Sequence, residues 1–576
     1  MGMMAGVFRW HGSEFVVCAA VGLVTVGCQP STPPQASRQG ATQGKPADGG
    51  DQASEKPASA PVAAAVKPFT GPELYVRHCA ACHGDQGDGQ GLAARFLYPK
   101  PRNLRASPYR LVSTVNGVPS REDIEAMLVR GMPGSAMPSW AHLNPKDRSL
   151  LVDEVLRLRR DGAREEIIRT LKEQGEEQID EQEVQQFVDN RTVPAAIFAV
   201  PAISPSDATS IARGKELYVK QSCHSCHGNE GRGDGQQKMV DADGLPTRPR
   251  DLTRGIYKGS PDPASFYRRI ALGMPGTPMP ASANLKPEEI TDIVHFLRSL
   301  STDVEREASL LKREQIVAKY VAKLPSEVAS SQWDVSAAVR LRMTPLWWRD
   351  DADPGLTVQA LHDGRAIAIR LGWQDATSNS DAARTQAFRD AIAVELYRGT
   401  VEPFLGMGSA DSPVDVWYWQ AEPQDGPPDV EQVYPRTVVD HYPLSEKAVS
   451  TAEYHRPGTK RAAQPDVSLP AKASGNPVVP AAGASGGSSL MASGPGSVAF
   501  RLPTSRLVTA RGQWREGRWT VVMTRPLVVD GKSGVSLVPG ERASMALAVW
   551  DGAHRDRNGQ KSISIWQDLV LEKPPR

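Results

Sequence analysis

Cysteine is scarce in this chain, six residues in 576, which excludes an iron–sulfur array with its many thiolates. A surplus of either charge is missing as well: 67 Lys and Arg face 66 Asp and Glu, for a net charge of +1. Nucleic acid and other polyanions are therefore not expected partners. Long apolar runs are lacking too. The run from Phe15 to Val26 is too short to span a bilayer comfortably, and with Arg9 ahead of it has the form of an export signal. No acid/base or nucleophile constellation stands out, so the chain reads as a non-catalytic component.

The cysteines that are present fall mostly into two pairs, each followed by histidine: Cys79-Ala80-Ala81-Cys82-His83 and Cys223-His224-Ser225-Cys226-His227. This is the spacing of covalent haem attachment, with thioethers from both thiols and the next residue, His83 or His227, as proximal iron ligand. Structural zinc would need further ligands for each pair, and only Cys18 and Cys28 remain. A redox-active pair of the thioredoxin kind belongs beside a βαβ pattern, which neither motif has. Two haem c groups on Cys79, Cys82, Cys223 and Cys226 are therefore expected, and iron that changes oxidation state implies electron transfer.

The surroundings of the motifs repeat. Gly71-Pro72-Glu73-Leu74-Tyr75-Val76 matches Gly214-Lys215-Glu216-Leu217-Tyr218-Val219. Further on, Gly131-Met132-Pro133-Gly134-Ser135-Ala136-Met137-Pro138 answers Gly273-Met274-Pro275-Gly276-Thr277-Pro278-Met279-Pro280. Glycine and proline this dense exclude a regular helix or central strand. They predict a shaped loop that can bring a methionine thioether to the open face of the iron, where a His/Met pair raises the potential. A lone methionine is ordinarily core filler, but two Met-Pro segments at matching distances from two haem motifs favour ligation. Asp147 to Leu158 and Pro287 to Leu300 have helical apolar spacing, through Leu150, Leu151, Val155 and Leu158, then Ile290, Ile293, Val294 and Leu297.

Over about 68–160 and 205–302 these motifs resemble class I cytochrome c domains. The resemblance implies that the later methionine of each loop, Met137 or Met279, is the axial ligand, with Met132 and Met274 as the alternatives. It implies that the two helices just named pack on the N-terminal helix of each domain. It also makes Arg102 and Arg250, in the repeated Pro101-Arg102-Asn103-Leu104 and Pro249-Arg250-Asp251-Leu252, partners of haem propionates; solvated surface arginine is the alternative.

From about residue 327 the pattern changes. Val335 to Leu341, Thr357 to Leu361, Ala366 to Trp373, Gly517 to Met523 and Met545 to Trp550 are short and alternating, with turn signals at Asp363-Gly364 and Asp530-Gly531. An antiparallel β-sandwich is predicted. Leu361-His362-Asp363-Gly364, Phe404-Leu405-Gly406-Met407-Gly408, Val414 to Trp419, Thr524-Arg525-Pro526-Leu527, Ala548 to Gly552 and Lys561 to Trp566 resemble the haem b-binding γ subunit of the ethylbenzene dehydrogenase family, whose relatives serve periplasmic molybdenum enzymes. That implies one non-covalent haem b held by Met407 and Lys561, the lysine as a desolvated neutral amine. Met343 and Met523 are the alternatives to Met407, and Lys532 to Lys561. The resemblance further implies molybdenum/iron–sulfur oxidoreductase subunits and soluble redox carriers as partners.

The chain is then multidomain, two all-α cytochrome c domains (68–160, 205–302) followed by an antiparallel β-sandwich domain (327–576). Residues 1–28 form a signal or lipoprotein segment. Its Thr25-Val26-Gly27-Cys28 resembles a bacterial lipoprotein site, implying a membrane link through lipid on Cys28; an uncleaved anchor is the alternative. Residues 29–67 are a disordered tether by composition. Charged helical linkers fill 161–204 and 303–326, with Glu165 and Arg169 pairing on a solvated face, and 456–497 is a low-complexity insertion. Periplasmic export is expected, because c-type haem is attached outside the cytoplasm. Two other readings stay open: a dihaem peroxidase, which needs an open iron, and a dihaem c protein whose β-sandwich is a haem-free binding module.

Overall fold

A computed structural model of the chain describes residues 68–349, 355–380, 387–422, 486–531 and 534–575. The signal segment with Cys28, the tether, Lys532 and most of the 456–497 insertion lie outside the described residues. Among the described residues no helix is long and apolar enough to cross a membrane.

Helix α1 (Gly71–His78) opens on a capping box: Thr70 Oγ1 accepts from the Glu73 N–H, and Glu73 accepts from the Thr70 N–H at 2.7 Å. Its buried face, Leu74, Tyr75 and His78, packs in an apolar cluster with Leu151, Val152, Val155 and Leu158. The one-turn α2 (Ala80–His83) carries the first haem motif, α3 (Arg121–Arg130) precedes the first Met-Pro loop, and α4 (Pro145–Glu173) crosses α1. The antiparallel partner of α4 is α5 (Glu181–Thr192). The second domain repeats the plan with α6 (Ala208–Lys220), α7 (His224–His227), α8 (Pro263–Leu272) and α9 (Pro287–Ser299), α6 crossing α9. In both copies a tyrosine of the first helix reaches the loop that leaves the haem motif. Tyr75 donates to the Gly84 carbonyl at 2.8 Å, and Tyr218 to the Gly228 carbonyl at 2.6 Å.

Both crossings are close because glycine stands at them. A Cβ on Gly71 would come within 2.8 Å of the Leu150 carbonyl oxygen, and one on Gly214 would overlap the Asp292 carbonyl oxygen. Gly214→Ala is therefore expected to force α6 and α9 apart, at the cost of about 1–3 kcal/mol that overpacking carries. Thermal unfolding followed in the haem absorbance should show a lowered midpoint, and a smaller drop for Gly71→Ala.

The segment 161–204 is not a solvated linker. Helix α4 runs unbroken from the first domain to Glu173, the chain turns back as α5, and the pair buries Ala163, Ile167, Leu171, Val184 and Val188 between them. The charged residues conceal an apolar stripe at four-residue spacing, and Glu165 pairs with Arg105, not Arg169. The second domain is not all-α either, since β1 (Met239–Val240) and β2 (Pro246–Thr247) form a small antiparallel ladder. The segment 303–326 is helical only over α10 (Asp303–Ala308). It continues as β3 (Gln315–Tyr320), where Ile316 and Ala318 alternate inward while Lys319 pairs with Glu572 at 2.9 Å.

The remaining strands are β4 (Val339–Arg342), β5 (Thr344–Pro345), β6 (Gly355–His362), β7 (Ala366–Gln374), β8 (Ala391–Tyr397), β9 (Val414–Gln420), β10 (Gly487–Ala492), β11 (Ala499–Phe500), β12 (Thr509–Arg515), β13 (Arg518–Pro526), β14 (Arg542–Trp550), β15 (Ser562–Ile563) and β16 (Gln567–Leu571). With β3 they make one 14-stranded hydrogen-bonded sheet, in the main order β11-β10-β9-β8-β14-β16-β3-β6-β7-β13-β12. The sheet is mixed, not antiparallel throughout, because β3 enters from the preceding linker and lies parallel to both β16 and β6. Strand β10 falls inside the expected insertion; it pairs with β9 and buries Leu490 and Ala492. Trp373 of β7 and Trp519 of β13 face each other in register and stack at 6.2 Å, and Trp419 of β9 closes on Trp519 at 5.0 Å. Strands far apart in the ladder thus share one core, anchored below by Asp415, 1% exposed, between Arg501 and Arg525.

Candidate haem sites

The first haem motif is wrapped by the loop that follows it. Gly89 N–H donates to the His83 carbonyl at 2.7 Å and Gly91 N–H to the Cys82 carbonyl at 3.3 Å. The second copy repeats this with Gly233 N–H and the His227 carbonyl at 2.8 Å. His83 Nδ1 lies 2.9 Å from the Arg102 carbonyl oxygen. A carbonyl only accepts, so Nδ1 carries the proton and Nε2 keeps a free lone pair for iron. Burial keeps both proximal imidazoles neutral: it lowers His83, and it takes His227 down to about 4 with help from Lys258. Burial also pushes the Cys79 and Cys82 thiols up to about 12, which removes the thiolate reactivity of a redox pair and suits thiols destined for thioethers.

Each Met-Pro segment is a closed loop. Met132 N–H donates to the Met137 carbonyl at 3.0 Å and Met274 N–H to the Met279 carbonyl at 3.1 Å, with Gly131, Gly134, Gly273 and Gly276 at φ between 69° and 78°. Met137 packs in the cluster that holds Cys79, Leu74 and Trp140. Met132 is not in that cluster, and neither Met274 nor Met279 joins the equivalent cluster of the second domain. Arg102 is paired with Asp243 of the second domain at 3.3 Å. Arg250 is 6% exposed, with its guanidinium 4.6 Å from the Trp348 ring centre.

A third group of candidate ligands lies on the sheet face opposite the tryptophan core. In β8 and β14 the residues Ile392, Val394, Leu396, Met545, Leu547 and Val549 fill that core. The alternate positions are small: Ala393 pairs with Ala548, and Ala546 with Glu395. Around this floor stand Tyr418 and Trp550, ring centres 5.7 Å apart, with Lys561 Nζ 4.8 Å from the Trp550 ring centre. Met407 packs on the same side with Leu405, Val414, Ala546, Ile565 and Trp566. Its backbone is left-handed, φ 94°, and its carbonyl accepts from Gly494 N–H at 2.8 Å. Met343 and Met523 belong to the tryptophan core instead.

Glu395 links Met407 and Lys561, and sequence reasoning missed it. Burial raises its carboxyl, while Lys561 and the Met407 N–H favour the charge; its Oε1 is shut off from solvent without a hydrogen-bond partner. Burial lowers Lys561, partly offset by Glu395. The donor set fits haem b: a thioether and an amine pressed toward its neutral form flank a shelf of small residues. The one available signal was a glutamate inside the apolar run Ala391 to Tyr397.

The first haem motif lies against the segments that carry Met407 and Lys561. Arg77, two residues before Cys79, donates to the Glu402 and Val401 carbonyls at 3.0 and 3.1 Å and pairs with Asp411 at 3.1 Å. On the other side Leu346 N–H donates to the Lys561 carbonyl at 2.9 Å, and neighbouring Trp347 stacks on Tyr98 at 5.3 Å. The first domain meets the second through Arg102–Asp243 and through Arg110–Asp241 at 2.7 Å.

Comparison with known proteins agrees with this division. The ethylbenzene dehydrogenase family model matches residues 331–562, the cytochrome c model 211–301, and that of cytochrome c oxidase, cbb3-type, subunit III 67–153. A putative respiratory nitrate reductase haem subunit of Haloferax mediterranei is 26% identical over 44% of this chain and 70% of its own length. The chlorate reductase γ subunit of Ideonella dechloratans is 26% identical over 37% of this chain, which spans 63% of that relative. A chain of the solved reducing HAO-like protein complex of Kuenenia stuttgartiensis is 31% identical, covering 40% of this chain and 96% of its own, at a TM-score of 0.34. Two cytochrome c-type segments are thus joined in one chain to a segment that matches the ethylbenzene dehydrogenase model, an arrangement that supports an electron-transfer role.

Proposed function

We propose that this chain is the haem subunit through which a molybdenum oxidoreductase exchanges electrons with soluble carriers, and that it holds two haem c groups and one haem b. The observation that carries the reading is the shelf of Ala393, Ala546 and Ala548 beside Met407 and Lys561, a shape suited to a flat macrocycle. Each haem, when bound, supplies a one-electron couple. The chain's own residues do the rest. His83 and His227 offer neutral imidazoles, Met137 and Met279 thioethers, and Arg102 and Arg250 sit in the repeated segments suited to propionates. Arg77 and Leu346 tie the first c domain to the Met407 and Lys561 segments, Arg102 and Arg110 tie it to the second, and Arg250 of the second meets Trp348 of the third.

The relatives' descriptions as nitrate and chlorate reductase subunits support the molybdenum partner. The folding of the sheet around one tryptophan core supports a β-sandwich. Periplasmic export and lipid on Cys28 rest on the N-terminal sequence. If Met137 and Met279 ligate beside His83 and His227, they would leave no coordination position for peroxide on either c haem. The test is pyridine haemochrome analysis of protein made with full haem supply, for which two c and one b are expected. Haem c alone would overturn the haem b reading in favour of a binding module. The partner is tested by purifying the tagged chain from its native host, where a molybdenum-containing subunit should come with it.

A further inference from the structure

We propose that Asp375, Asp390 and Asp551 form a calcium site at one end of the sheet. One carboxylate oxygen from each lies within 4.8 Å of the others. Asp375 follows β7, Asp390 precedes β8 and Asp551 follows β14, so three chain segments converge there. Asp390 is 0% and Asp375 7% exposed, and Asp551 is half-buried.

The protein around the carboxylates accounts for them only in part, and Asp375 Oδ2 is left without a partner. Asp390 is oriented by Gly552 N–H at 2.8 Å, Asn379 N–H at 2.7 Å and Trp519 Nε1–H at 2.9 Å, which leaves lone pairs on its oxygens. Asp375 accepts from Thr377 N–H through Oδ1 at 3.1 Å. Its Oδ2 is buried with no hydrogen bond; the Trp373 indole favours its charge from outside hydrogen-bond geometry. Asp551 meets His554 Nδ1 at 2.6 Å and Arg349 at 3.6 Å, and Arg349 also pairs with Asp556 at 3.1 Å. Four acidic groups therefore share one guanidinium and one imidazole. Burial and the Asp390 carboxylate push Asp375 up to about 7, as expected where a positive charge is wanting.

Three carboxylates, two of them withdrawn from water, select a hard cation, and water would have to fill the rest of the larger, more flexible shell that suits calcium over magnesium. The site would pin the turn Gly552 to His554, which leads from Trp550 toward Lys561.

The test uses the full haem-loaded chain, stripped with a chelator and titrated with calcium chloride, and in parallel with magnesium chloride. One saturable calcium per chain, a raised thermal midpoint, and binding weakened at least about tenfold in Asp375→Asn and in Asp551→Asn would support the site, in line with the dependence of such sites on ligand charge. If a variant fails to fold, the stripped natural chain decides alone, since a midpoint that calcium leaves unchanged overturns the proposal. Magnesium binding as tightly as calcium also overturns it.

Discussion

Lys561→Leu is expected to remove haem b completely while both covalent haems stay. The haemochrome spectrum should fall from a b-plus-c mixture to c alone, and stained gels should keep their covalent haem. Leucine at this position keeps an apolar stem and supplies no donor atom to iron. Lys561→Arg sharpens the result: arginine keeps the charge but does not deprotonate in a protein, so it should lose haem b as completely. A lysine that served only as a surface charge would tolerate that exchange. Met407→Ala should give the same spectrum. The natural pair is suited to the task because burial lowers Lys561 and raises Glu395, each partly offset by the other's charge, so burial favours the neutral amine that ligation needs.

Serine at both Cys79 and Cys82 should cut covalent haem from two groups to one, and should also weaken retention of haem b. The same change at Cys223 and Cys226 should cut covalent haem equally and spare haem b. The asymmetry follows from Arg77, whose hydrogen bonds to the Val401 and Glu402 carbonyls and ion pair with Asp411 fasten the first motif to the segment that carries Met407. No such tie from the second motif to that segment exists among the described residues. Densitometry of haem-stained gels measures the first effect and the ratio of b to c absorbance the second. Equal loss of haem b in both double variants would sink this account of the interface.

The parts of this molecule readable from sequence are those whose chemistry is contiguous. Covalent haem attachment fixes two cysteines and a histidine within five positions, and the Met-Pro loops advertise themselves through Gly131, Pro133, Gly273 and Pro275. Helix caps such as Thr70 with Glu73 are equally local. Glu395 was not readable, because its importance arises from register: β8 set beside β14 brings it opposite Ala546 and over a floor of alanines. Strand β3 was missed for a related reason. Its six residues hold one charge, Lys319, but follow directly on the charged run from Asp303 to Glu314, and the parallel pairing with β16 and β6 makes Ile316 and Ala318 interior. The α4–α5 hairpin hid an apolar stripe beneath charged neighbours.

Met407 stands at φ 94°, a backbone region that glycine occupies freely and a non-glycine residue only at a cost of roughly 1–3 kcal/mol. A search for sturdier variants of this protein would therefore be drawn to glycine at that position, and the apo chain would reward it. Selection for robustness and selection for redox competence pull in opposite directions at one residue, so any effort to toughen the molecule must screen for bound iron as well as for melting temperature.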